Sequence, residues 1–399
     1  MRFAFFVYPH RGGTFSVFRH VRAGLAAHGI EVRWLGVGRL AHDAIADPDW
    51  HAERASGTVC GLRHDDEKAQ ALSLLGALSA GGFEGVFFNV HADPVQTNLA
   101  RYLPPSLLRI LIVHNITPGT YAAAAAIRDH VHGVVCVSPR IEQDLVARHK
   151  FEPSSICTIP NATDVPVAPA RSLPEMHAAL RLLSLGRIED QAKGVLWLPE
   201  ILRRLPRSFT LAVAGDGPDL ARLRQRSADL GARIRFLGAV APSRAEALLA
   251  EHDVLLAPSR FEGFMITAVE AMASGCVPVV SRIRGVTDTV VDDGASGLLF
   301  PVGDLEAAAR AIRKLDGDRQ FWLRLSAEGQ EQVRKRFRVE RLGEDYAERI
   351  AHLRRAPPGI APPHDPSSWR LPPGLRAGLR TYLPTSVKNL LRTIRERVT

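Results

Sequence analysis

The sequence predicts an α/β protein with two domains, each built on a parallel sheet. Strand-like and helix-like segments alternate along nearly the whole chain, which is typical of parallel sheets covered by helices on both faces. The chain has 399 residues, which is long enough for two domains of ordinary size. A proline-containing stretch at 166–178 separates two such alternating series and is expected to be the linker.

The first series defines an N-terminal domain over residues 1–167. The apolar run at its start is too short for a signal peptide and lacks a cleavage site, so it is expected to be the first strand. The apolar pattern predicts strands near 2–8, 31–36, 85–90, 109–114, 133–138 and 156–159. Helices are expected among them near 14–28, 66–80, 119–131 and 139–149.

The second series defines a C-terminal domain over residues 168–338. Its strands are expected near 182–185, 210–214, 234–237, 253–257, 277–281 and 297–300. Helices near 305–315, 319–336 and 339–354 follow without strands between them. Because open parallel sheets bind ligands at the carboxyl ends of their strands, the polar residues that follow these strands are the candidates for function.

Composition excludes several classes of protein. Apolar residues make up 46% of the chain and charged residues 23%, as in ordinary globular proteins. The four cysteines are scattered without a C-x-x-C pair, which fits reduced, mostly buried thiols in a cytosolic protein rather than a disulfide framework or a zinc site. No run approaches the roughly 18 apolar residues that a membrane span needs. We therefore expect a cytoplasmic protein.

One segment carries most of the functional information. It reads Pro258-Ser259-Arg260-Phe261-Glu262-Gly263-Phe264, and it continues to Glu270-Ala271-Met272-Ala273-Ser274-Gly275 and Pro278-Val279-Val280. Glu262 is expected on a turn after a strand, and Glu270 one to two turns inside a helix that starts near Ile266. The helix N-terminus between these carboxylates presents free backbone N–H groups, which suit a phosphate. A nucleotide-sugar, with hydroxyls at both ends and a diphosphate in the middle, matches this layout.

This segment resembles the E-x7-E motif of the retaining glycosyltransferases of family 4, the glycosyl transferases group 1. The resemblance implies the GT-B fold: two facing Rossmann-like domains with parallel sheets, and a C-terminal crossover helix, expected at 339–355, that returns to the first domain. It also implies transfer of a sugar from a nucleoside diphosphate sugar with retention of the anomeric configuration. Glu262 would then bind the sugar hydroxyls, and Glu270 the ribose hydroxyls.

Two cations follow the first strand of the second domain. Arg187 comes directly after Leu185-Gly186, and Lys193 precedes the next helix. Cations at such a turn are well placed to bind a diphosphate through charge-assisted hydrogen bonds. The resemblance implies the same role, because an Arg and a Lys at matching positions neutralise the leaving nucleoside diphosphate in the family.

Other candidates follow other strands. The glycine turn Gly12-Gly13 lets backbone N–H groups approach a phosphate, and the resemblance implies that His114 contacts the donor sugar and the reacting centre. His10 and His91, also at strand ends, are rivals to His114 or its neighbours on the acceptor side. The resemblance adds five donor-binding positions, of which Met265 stands where the family often has Gly: Gly217, Leu237, Phe264, Met265 and Ile266.

No metal or other cofactor is expected to be required, because Arg187, Lys193 and the helix termini already supply positive charge. The D-x-D sequence Asp316-Gly317-Asp318 is interpreted as a turn between helices, and no His, Cys and carboxylate cluster has metal-ligand spacing.

The last segment, 356–399, is a Pro-rich, basic tail. Residues 370–399 carry seven basic side chains against one acidic, a net +6 of the total +9. From Ser386 onward the pattern predicts a short basic amphipathic helix. Two interpretations stay open: the helix docks on an anionic membrane surface, or it packs on the protein body or on a second subunit. Nucleic acid is excluded as a partner, because no aromatic residues punctuate a basic groove.

The pattern as a whole indicates a glycosyltransferase for a glycan or lipid-linked acceptor in cell-envelope or exopolysaccharide assembly, at the inner face of the membrane if the tail binds lipid. Two alternatives stay open. A nucleotide-sugar epimerase has a similar two-domain shell but needs no acceptor. A catalytically silent protein would bind the nucleotide-sugar without turnover.

Overall fold

The computed structural model describes residues 1–89, 93–173, 178–376 and 384–398, apart from the side chains of residues 386, 397 and 398. The chain divides into two units. Unit 1 comprises Met1–Ala162 and Val339–Tyr382, and unit 2 comprises Thr163–Arg338 and Leu383–Thr399. The division therefore falls after residue 162 rather than after 167, and the tail beyond 355 is shared between the two units instead of forming a separate segment.

Unit 1 is built on a seven-stranded parallel sheet in the order β3-β2-β1-β4-β5-β6-β7. The strands are β1 (Arg2–Phe6), β2 (Glu31–Val37), β3 (Gly57–Cys60), β4 (Gly85–Asn89), β5 (Leu108–Val113), β6 (Gly133–Cys136) and β7 (Ile156–Thr158). The helices are α1 (Gly13–Ala26), α2 (Gly38–Ala46), α3 (Glu67–Ala80), α4 (Pro94–Asn98), α5 (Pro118–Ile127), α6 (Pro139–His149) and α14 (Val339–Arg355). The α/β prediction is confirmed for this unit.

The central strands of unit 1 form because they are apolar on both faces. Every residue of β4 and β5 is buried, as expected for a parallel sheet between helices. Aromatic rings fill the layer around β1: the ring centroids of Phe3 and Phe87 lie 5.2 Å apart, and those of Phe5 and Phe18 lie 5.4 Å apart. This rigid core fixes the strand ends at which the candidate residues lie.

Unit 2 is built on a six-stranded parallel sheet in the order β10-β9-β8-β11-β12-β13. The strands are β8 (Leu182–Leu185), β9 (Leu211–Ala214), β10 (Ile234–Gly238), β11 (Val254–Ala257), β12 (Val277–Arg282) and β13 (Leu298–Pro301). The helices are α7 (Asp190–Lys193), α8 (Leu198–Arg203), α9 (Leu220–Arg226), α10 (Pro242–Glu251), α11 (Ile266–Ala273), α12 (Leu305–Gly317), α13 (Arg319–Arg336) and α15 (Thr385–Val398).

The strand order of unit 2 places a crevice between two particular strands. β9 and β10 lie on one side of β8, whereas β11 to β13 extend on the other side. The connections that leave the carboxyl ends of β8 and β11 therefore depart in opposite directions and open a gap between them, which is the usual ligand position in open α/β sheets. Unit 1 has the corresponding arrangement at β1 and β4.

Helix α14 belongs to unit 1, where it packs on α1 at a pair of glycines. A Cβ atom added to Gly343 would lie 2.4 Å from the carbonyl oxygen of Gly24, and one added to Gly24 would lie 2.8 Å from the Cα atom of Gly343. The two helix backbones can approach this closely only because neither position carries a side chain. The segment that follows α14 packs on unit 1 up to residue 376. The rings of Tyr102 and Trp369 lie 4.7 Å apart there, and the His364 N–H donates to the Arg101 carbonyl over 2.8 Å.

We predict that Gly343→Ala lowers the free energy of unfolding by about 2 kcal/mol, because the added methyl group must push α14 away from α1. The matched control is Gly76→Ala in α3, where an added Cβ meets no atom within 4 Å. Removing a glycine from an exposed helix interior stabilises by roughly 0.5–1 kcal/mol. Urea unfolding of the two variants should therefore shift in opposite directions, and equal shifts would contradict the close packing of α1 and α14.

Candidate active site

A cleft lies at the carboxyl ends of β8 and β11 in unit 2. It is lined by the residues that follow β8, by the turn after β11 and by the start of α11. Four of the predicted residues, Arg187, Lys193, Glu262 and Met265, line this one cleft. Their convergence follows from the strand order, since residues far apart in sequence meet where the two strands end.

Three neighbouring strand ends are joined by backbone hydrogen bonds. The Gly186 N–H donates to the Ala214 carbonyl over 3.0 Å, and the Gly215 N–H donates to the Gly238 carbonyl over 2.7 Å. A Cβ atom at Gly215 would lie 1.8 Å from the Gly186 carbonyl oxygen, and Gly215 has a φ of +141°. One at Gly217 would lie 2.5 Å from the Ile188 carbonyl oxygen, so glycine is needed there for packing.

An ion pair forms the centre of the cleft. The Lys193 ammonium donates to both carboxylate oxygens of Glu262, with Nζ 2.7 Å from Oε1 and 2.9 Å from Oε2. The Ser259 hydroxyl donates to Oε1 over 2.7 Å. The Glu262 side chain is 8% exposed and that of Lys193 is 34% exposed, so the carboxylate is held inside while the ammonium borders solvent. Glu262 thus has a fixed orientation without a ligand.

Arg187 is more exposed than Lys193 and is not closely paired with a carboxylate. Its side chain is 68% exposed, and its closest carboxylate contact is a long one of 3.9 Å to Glu189. An exposed guanidinium on a long side chain can reorient toward an anion at low cost, whereas Lys193 is already paired. The cleft therefore combines one cation that is held by a carboxylate with one exposed cation.

The turn that carries Glu262 is anchored by residues that sequence reasoning missed. The Arg260 guanidinium pairs with the Asp190 carboxylate at 3.0 Å and lies 3.6 Å above the Trp197 ring. Asp190 also accepts from the Leu196 N–H over 3.1 Å. Because Asp190 begins α7, this buried pair ties the turn after β11 to the helix that carries Lys193. The available signal was an Arg inside the motif, which is unexpected beside buried apolar residues.

The remaining predicted residues of the motif divide by position. The Phe264 ring is buried against Phe337, with centroids 5.9 Å apart, so its side chain supports the turn. Met265 lies at the N-cap position of α11, and Ile266 is the first residue of that helix. Glu270 lies in the second turn of α11, half-buried, and its side chain is not among those that line the cleft. Gly217 and Leu237, at the ends of β9 and β10, are likewise outside that lining.

Unit 1 has a polar cluster at the ends of β1, β4 and β5. The Asn89 amide donates to the Phe6 carbonyl over 2.8 Å, which fixes its orientation and leaves its oxygen as an acceptor. That oxygen lies 2.6 Å from Nε2 of His114. Asn89, at the end of β4, thus links the ends of the two neighbouring strands β1 and β5. It was missed by sequence reasoning, although a buried amide at the end of an apolar strand was a visible signal.

His114 is held neutral. Burial lowers the pKa of His114 to about 4, and its Nε2 must carry the proton that binds Asn89. The ring therefore keeps Nδ1 as an unprotonated acceptor.

His10 lies after β1, where its Nδ1 donates to the Tyr8 carbonyl over 2.8 Å, and burial lowers the pKa of His10 as well. The predicted Gly12 precedes α1, and a Cβ atom there would lie 2.9 Å from the His10 ring, while Gly13 begins α1. The rival His91 lies outside the described residues.

The two aspartates of the D-x-D sequence are used at helix ends. Asp318 caps α13 by accepting from the Phe321 N–H over 2.8 Å, and Asp316 accepts from the Leu180 N–H over 3.0 Å.

Within the described ranges, no three His, Cys, Asp or Glu side chains are grouped so that they could hold a metal ion. In the same part of the chain, no helix is both long and apolar enough to cross a bilayer. All four cysteines are free and three are buried, as expected.

A family comparison matches the part of the chain that holds this cleft. Residues 179–318 match the model of the family Glycosyl transferases group 1. This range covers unit 2 from β8 to α12 and includes Arg187, Lys193, Glu262 and Glu270. The match agrees with the resemblance found in the sequence.

Curated relatives share the same region. The chain is 32% identical to the phosphatidyl-myo-inositol mannosyltransferase of Mycolicibacterium smegmatis over 203 residues, which cover 48% of this chain and 51% of that protein. It is 33% identical to the lipopolysaccharide core biosynthesis glycosyltransferase LpsE of Rhizobium meliloti over 43% of this chain and 49% of that protein. It is 29% identical to one component of the phosphatidylinositol N-acetylglucosaminyltransferase of Arabidopsis thaliana over 45% of this chain and 40% of that protein. The matches thus span about half the length of these relatives.

Solved structures share the whole fold. Anabaena HepE in complex with UDP and glucose superposes with a TM-score of 0.73 at 16% identity, over 88% of this chain and 100% of that one. Sucrose-phosphate synthase from Thermosynechococcus elongatus superposes with a TM-score of 0.73 at 21% identity, over 89% and 99% of the two chains. At such identities the likeness shows the fold alone, and that fold is GT-B, as predicted.

We predict that stability falls as the pH drops from about 6.5 to about 4, because the unfolded chain binds a proton on His114 that the folded chain, with its pKa of about 4, does not. This histidine contributes a slope of up to about 1.4 kcal/mol per pH unit in that window. His114→Gln should flatten the dependence by that amount. Burial gives His130 and His132 a pKa of about 4 as well, so part of the dependence should remain.

The control for this pH series is His28→Gln, which alters an exposed imidazole in the same unit. Urea unfolding at several pH values measures the slope for each variant. An unchanged slope in His114→Gln would contradict a histidine that is held neutral.

Proposed function

We propose that the protein transfers a sugar from a nucleoside diphosphate sugar to an acceptor hydroxyl, with retention of the anomeric configuration. The match of residues 179–318 to the glycosyl transferases group 1 family supports this proposal. The observation that carries the proposal is the convergence of Arg187, Lys193 and Glu262 on one cleft at the ends of β8 and β11. Two cations beside a helix N-terminus suit a diphosphate, and a buried carboxylate suits sugar hydroxyls.

The cations act on the leaving group. Negative charge develops on the diphosphate as the bond to the sugar breaks, and positive groups already in place stabilise it without reorganisation. Lys193 is such a group, because the turn after β11 holds it beside the cleft through Glu262. Arg187 is exposed at the rim and swings toward the diphosphate when the donor binds.

The carboxylates act on the hydroxyls of the donor. Glu262 accepts hydrogen bonds from the sugar, while the Lys193 ammonium group shifts from the Glu262 carboxylate toward the phosphate. Glu270 binds the ribose, and Gly217, Leu237, Phe264, Met265 and Ile266 belong to the donor-binding surface. In unit 1 the Gly12-Gly13 turn offers backbone N–H groups to phosphate, and His114 offers its neutral ring to the donor sugar.

Retention proceeds without a covalent sugar–enzyme intermediate. Retaining glycoside hydrolases use two carboxylates about 5–5.5 Å apart, one of them a nucleophile. Among the described residues that line the cleft, Glu262 is the only carboxylate, and Lys193 and Ser259 already hold it. We therefore propose attack on the face from which the phosphate leaves. The bond from the anomeric carbon to the phosphate oxygen breaks, the acceptor oxygen bonds to that carbon, and the acceptor proton passes to the departing phosphate. Protein cations supply the positive charge, so no metal or other cofactor is required.

The names of the relatives support a lipid-linked or envelope-glycan acceptor. Two of them are named for a phosphatidylinositol acceptor and one for lipopolysaccharide core biosynthesis. With such an acceptor, we propose that the protein acts on the cytoplasmic side, at the inner face of the membrane. The UDP in the HepE complex supports a nucleoside diphosphate sugar as donor, without fixing the base or sugar for this chain.

Helix α15 supports peripheral contact with an anionic bilayer. Its apolar side chains are exposed, with 40% of Val387, 60% of Leu390, 57% of Leu391 and 49% of Ile394 accessible. Its opposite side faces unit 2, where Arg392 lies 4.2 Å from the centre of the Phe261 ring. Both interpretations of the helix are thus supported: one side packs on the protein body, and the other presents an apolar stripe. Basic residues of α15 complement anionic lipid beside that stripe.

We predict that Glu262→Gln and Lys193→Ala each lower kcat for release of nucleoside diphosphate by about a hundredfold or more, since each removes a preorganised group that acts on charge in the transition state. The donor is first identified with a thermal-shift panel of UDP-, GDP-, ADP- and TDP-sugars, because donor binding raises the melting temperature of the protein. Release is then measured with and without a candidate acceptor. Glu251→Gln is the control, because Glu251 is an exposed carboxylate that pairs with Arg244 in the same unit.

Wild-type rates in Glu262→Gln or Lys193→Ala would contradict the proposed site. Donor binding without diphosphate release by the unmodified chain would instead identify a silent binding protein, and interconversion of the sugar without acceptor would identify an epimerase.

We predict that the full chain sediments with vesicles of phosphatidylcholine and phosphatidylglycerol, and that Leu390→Glu combined with Leu391→Glu weakens this binding at least tenfold. Burying two leucines stabilises binding by roughly 1.5–3 kcal/mol each. Leu62→Glu, which changes an exposed leucine of unit 1, is the matched control. Equal sedimentation of all three proteins would contradict a lipid contact through α15.

A further inference from the structure

Helix α15 contacts the motif segment itself. The Arg392 guanidinium lies 4.2 Å from the centre of the Phe261 ring, within the range of a cation–π interaction. Phe261 immediately precedes Glu262, and its side chain is buried. The last helix of the described chain therefore touches the residue next to the carboxylate to which we assign the sugar.

Arg392 is desolvated in this position. Burial lowers the pKa of its guanidinium, with nearby Arg260 adding to the effect and Glu189 opposing it. Its Nη1 atom is buried and has no hydrogen-bond partner in the described part of the chain. A buried donor without a partner is costly, so the ring face and the charge of Glu189 are what favour this conformation.

The other residues of the turn are anchored by elements that precede α15 in unit 2. Ser259 binds Glu262, Arg260 binds Asp190, and Phe264 packs on Phe337. The backbone N–H groups of Arg260 and Phe261 both point to the Ala192 carbonyl, at 2.7 and 3.4 Å. The Phe261 ring receives its cation from α15, more than a hundred residues later in the sequence.

We propose that Arg392 is a positioning residue for the proposed reaction: by stacking on Phe261 it holds the turn in the conformation in which Lys193 and Ser259 bind the Glu262 carboxylate. This inference rests on the proposed function, because it assigns the consequence to Glu262. It makes α15 part of the donor site rather than a separate tail. Arginine suits the position, since its planar guanidinium stacks flat on a ring.

Two measurements on the full chain test this proposal. The first is amide hydrogen exchange over residues 258–266 in the absence of substrate. Arg392→Ala should exchange about five- to tenfold faster there, the size of a lost cation–π contact. Arg392→Lys keeps a cation over the ring but loses the flat stacking, so its exchange should lie between that of Arg392→Ala and that of the unmodified chain. Leu390→Ala, which shortens an exposed side chain of the same helix, is the control and should leave the segment unchanged.

The second measurement is kcat at saturating donor. Arg392→Ala should lower kcat, and the loss should disappear in the Glu262→Gln background, because there is no longer a carboxylate to position. Phe261→Leu should lower kcat to a similar extent, and adding Arg392→Ala to Phe261→Leu should lower kcat no further. Unchanged hydrogen exchange in Arg392→Ala would overturn the proposal. So would a double variant of Arg392→Ala and Glu262→Gln whose loss in kcat is the product of the two single losses. If the unmodified chain releases diphosphate from no donor, the proposed function fails, and exchange alone decides the role of Arg392.

Discussion

The hydrogen-bonded ion pair between Lys193 and Glu262 is the interaction on which the candidate site depends. It joins the segment after β8 to the turn after β11, across the gap where the strand order of unit 2 changes direction. A carboxylate that is 8% exposed is stable as an anion only when it is paired and hydrogen-bonded. Lys193 and Ser259 meet this requirement and thereby fix the orientation of Glu262. The same ammonium borders solvent, where an anionic ligand can share it.

Close backbone approach is the second constraint. Gly215 and Gly217 allow the chain after β9 to approach the chain after β8 at distances that a Cβ atom would forbid. The buried pair of Arg260 and Asp190 then ties the turn after β11 to α7. These contacts make the cleft rigid on the side of Lys193 and Glu262, whereas Arg187 stays exposed. A fixed carboxylate beside an exposed cation suits a reaction in which a diphosphate must be held and later released.

Much of the fold was predictable because it depends on local pattern. The predicted strands overlap every strand of the two sheets except β3, since buried parallel strands have unbroken apolar runs. The short strand β3 and helix α2 were missed. β3 has four residues, and its Gly57 lies against the Trp34 ring, so it shows no periodicity of its own. The packing of the tail up to residue 376 was also missed, because proline-rich composition does not reveal that Trp369 finds a partner in Tyr102.

The candidate site was predictable only in part. Strand-end position and charge identified Arg187, Lys193 and Glu262, which the structure brings to one cleft. The roles of Asn89, Asp190 and Arg392 could not be assigned in this way, because they depend on partners distant in sequence. The bridge from Asn89 to His114 spans 25 residues of sequence, and the pair of Asp190 and Arg260 spans 70. Such contacts are products of the tertiary structure rather than of any local pattern.

The most direct measurement is a crystal structure of the full chain with a nucleoside diphosphate bound. We expect the diphosphate oxygens within hydrogen-bond distance of Lys193 Nζ and the Arg187 guanidinium, at the N-terminus of α11, with the Glu262 carboxylate still held by Ser259. A nucleotide bound elsewhere, with the Lys193–Glu262 pair unaltered, would contradict the central role of this cleft.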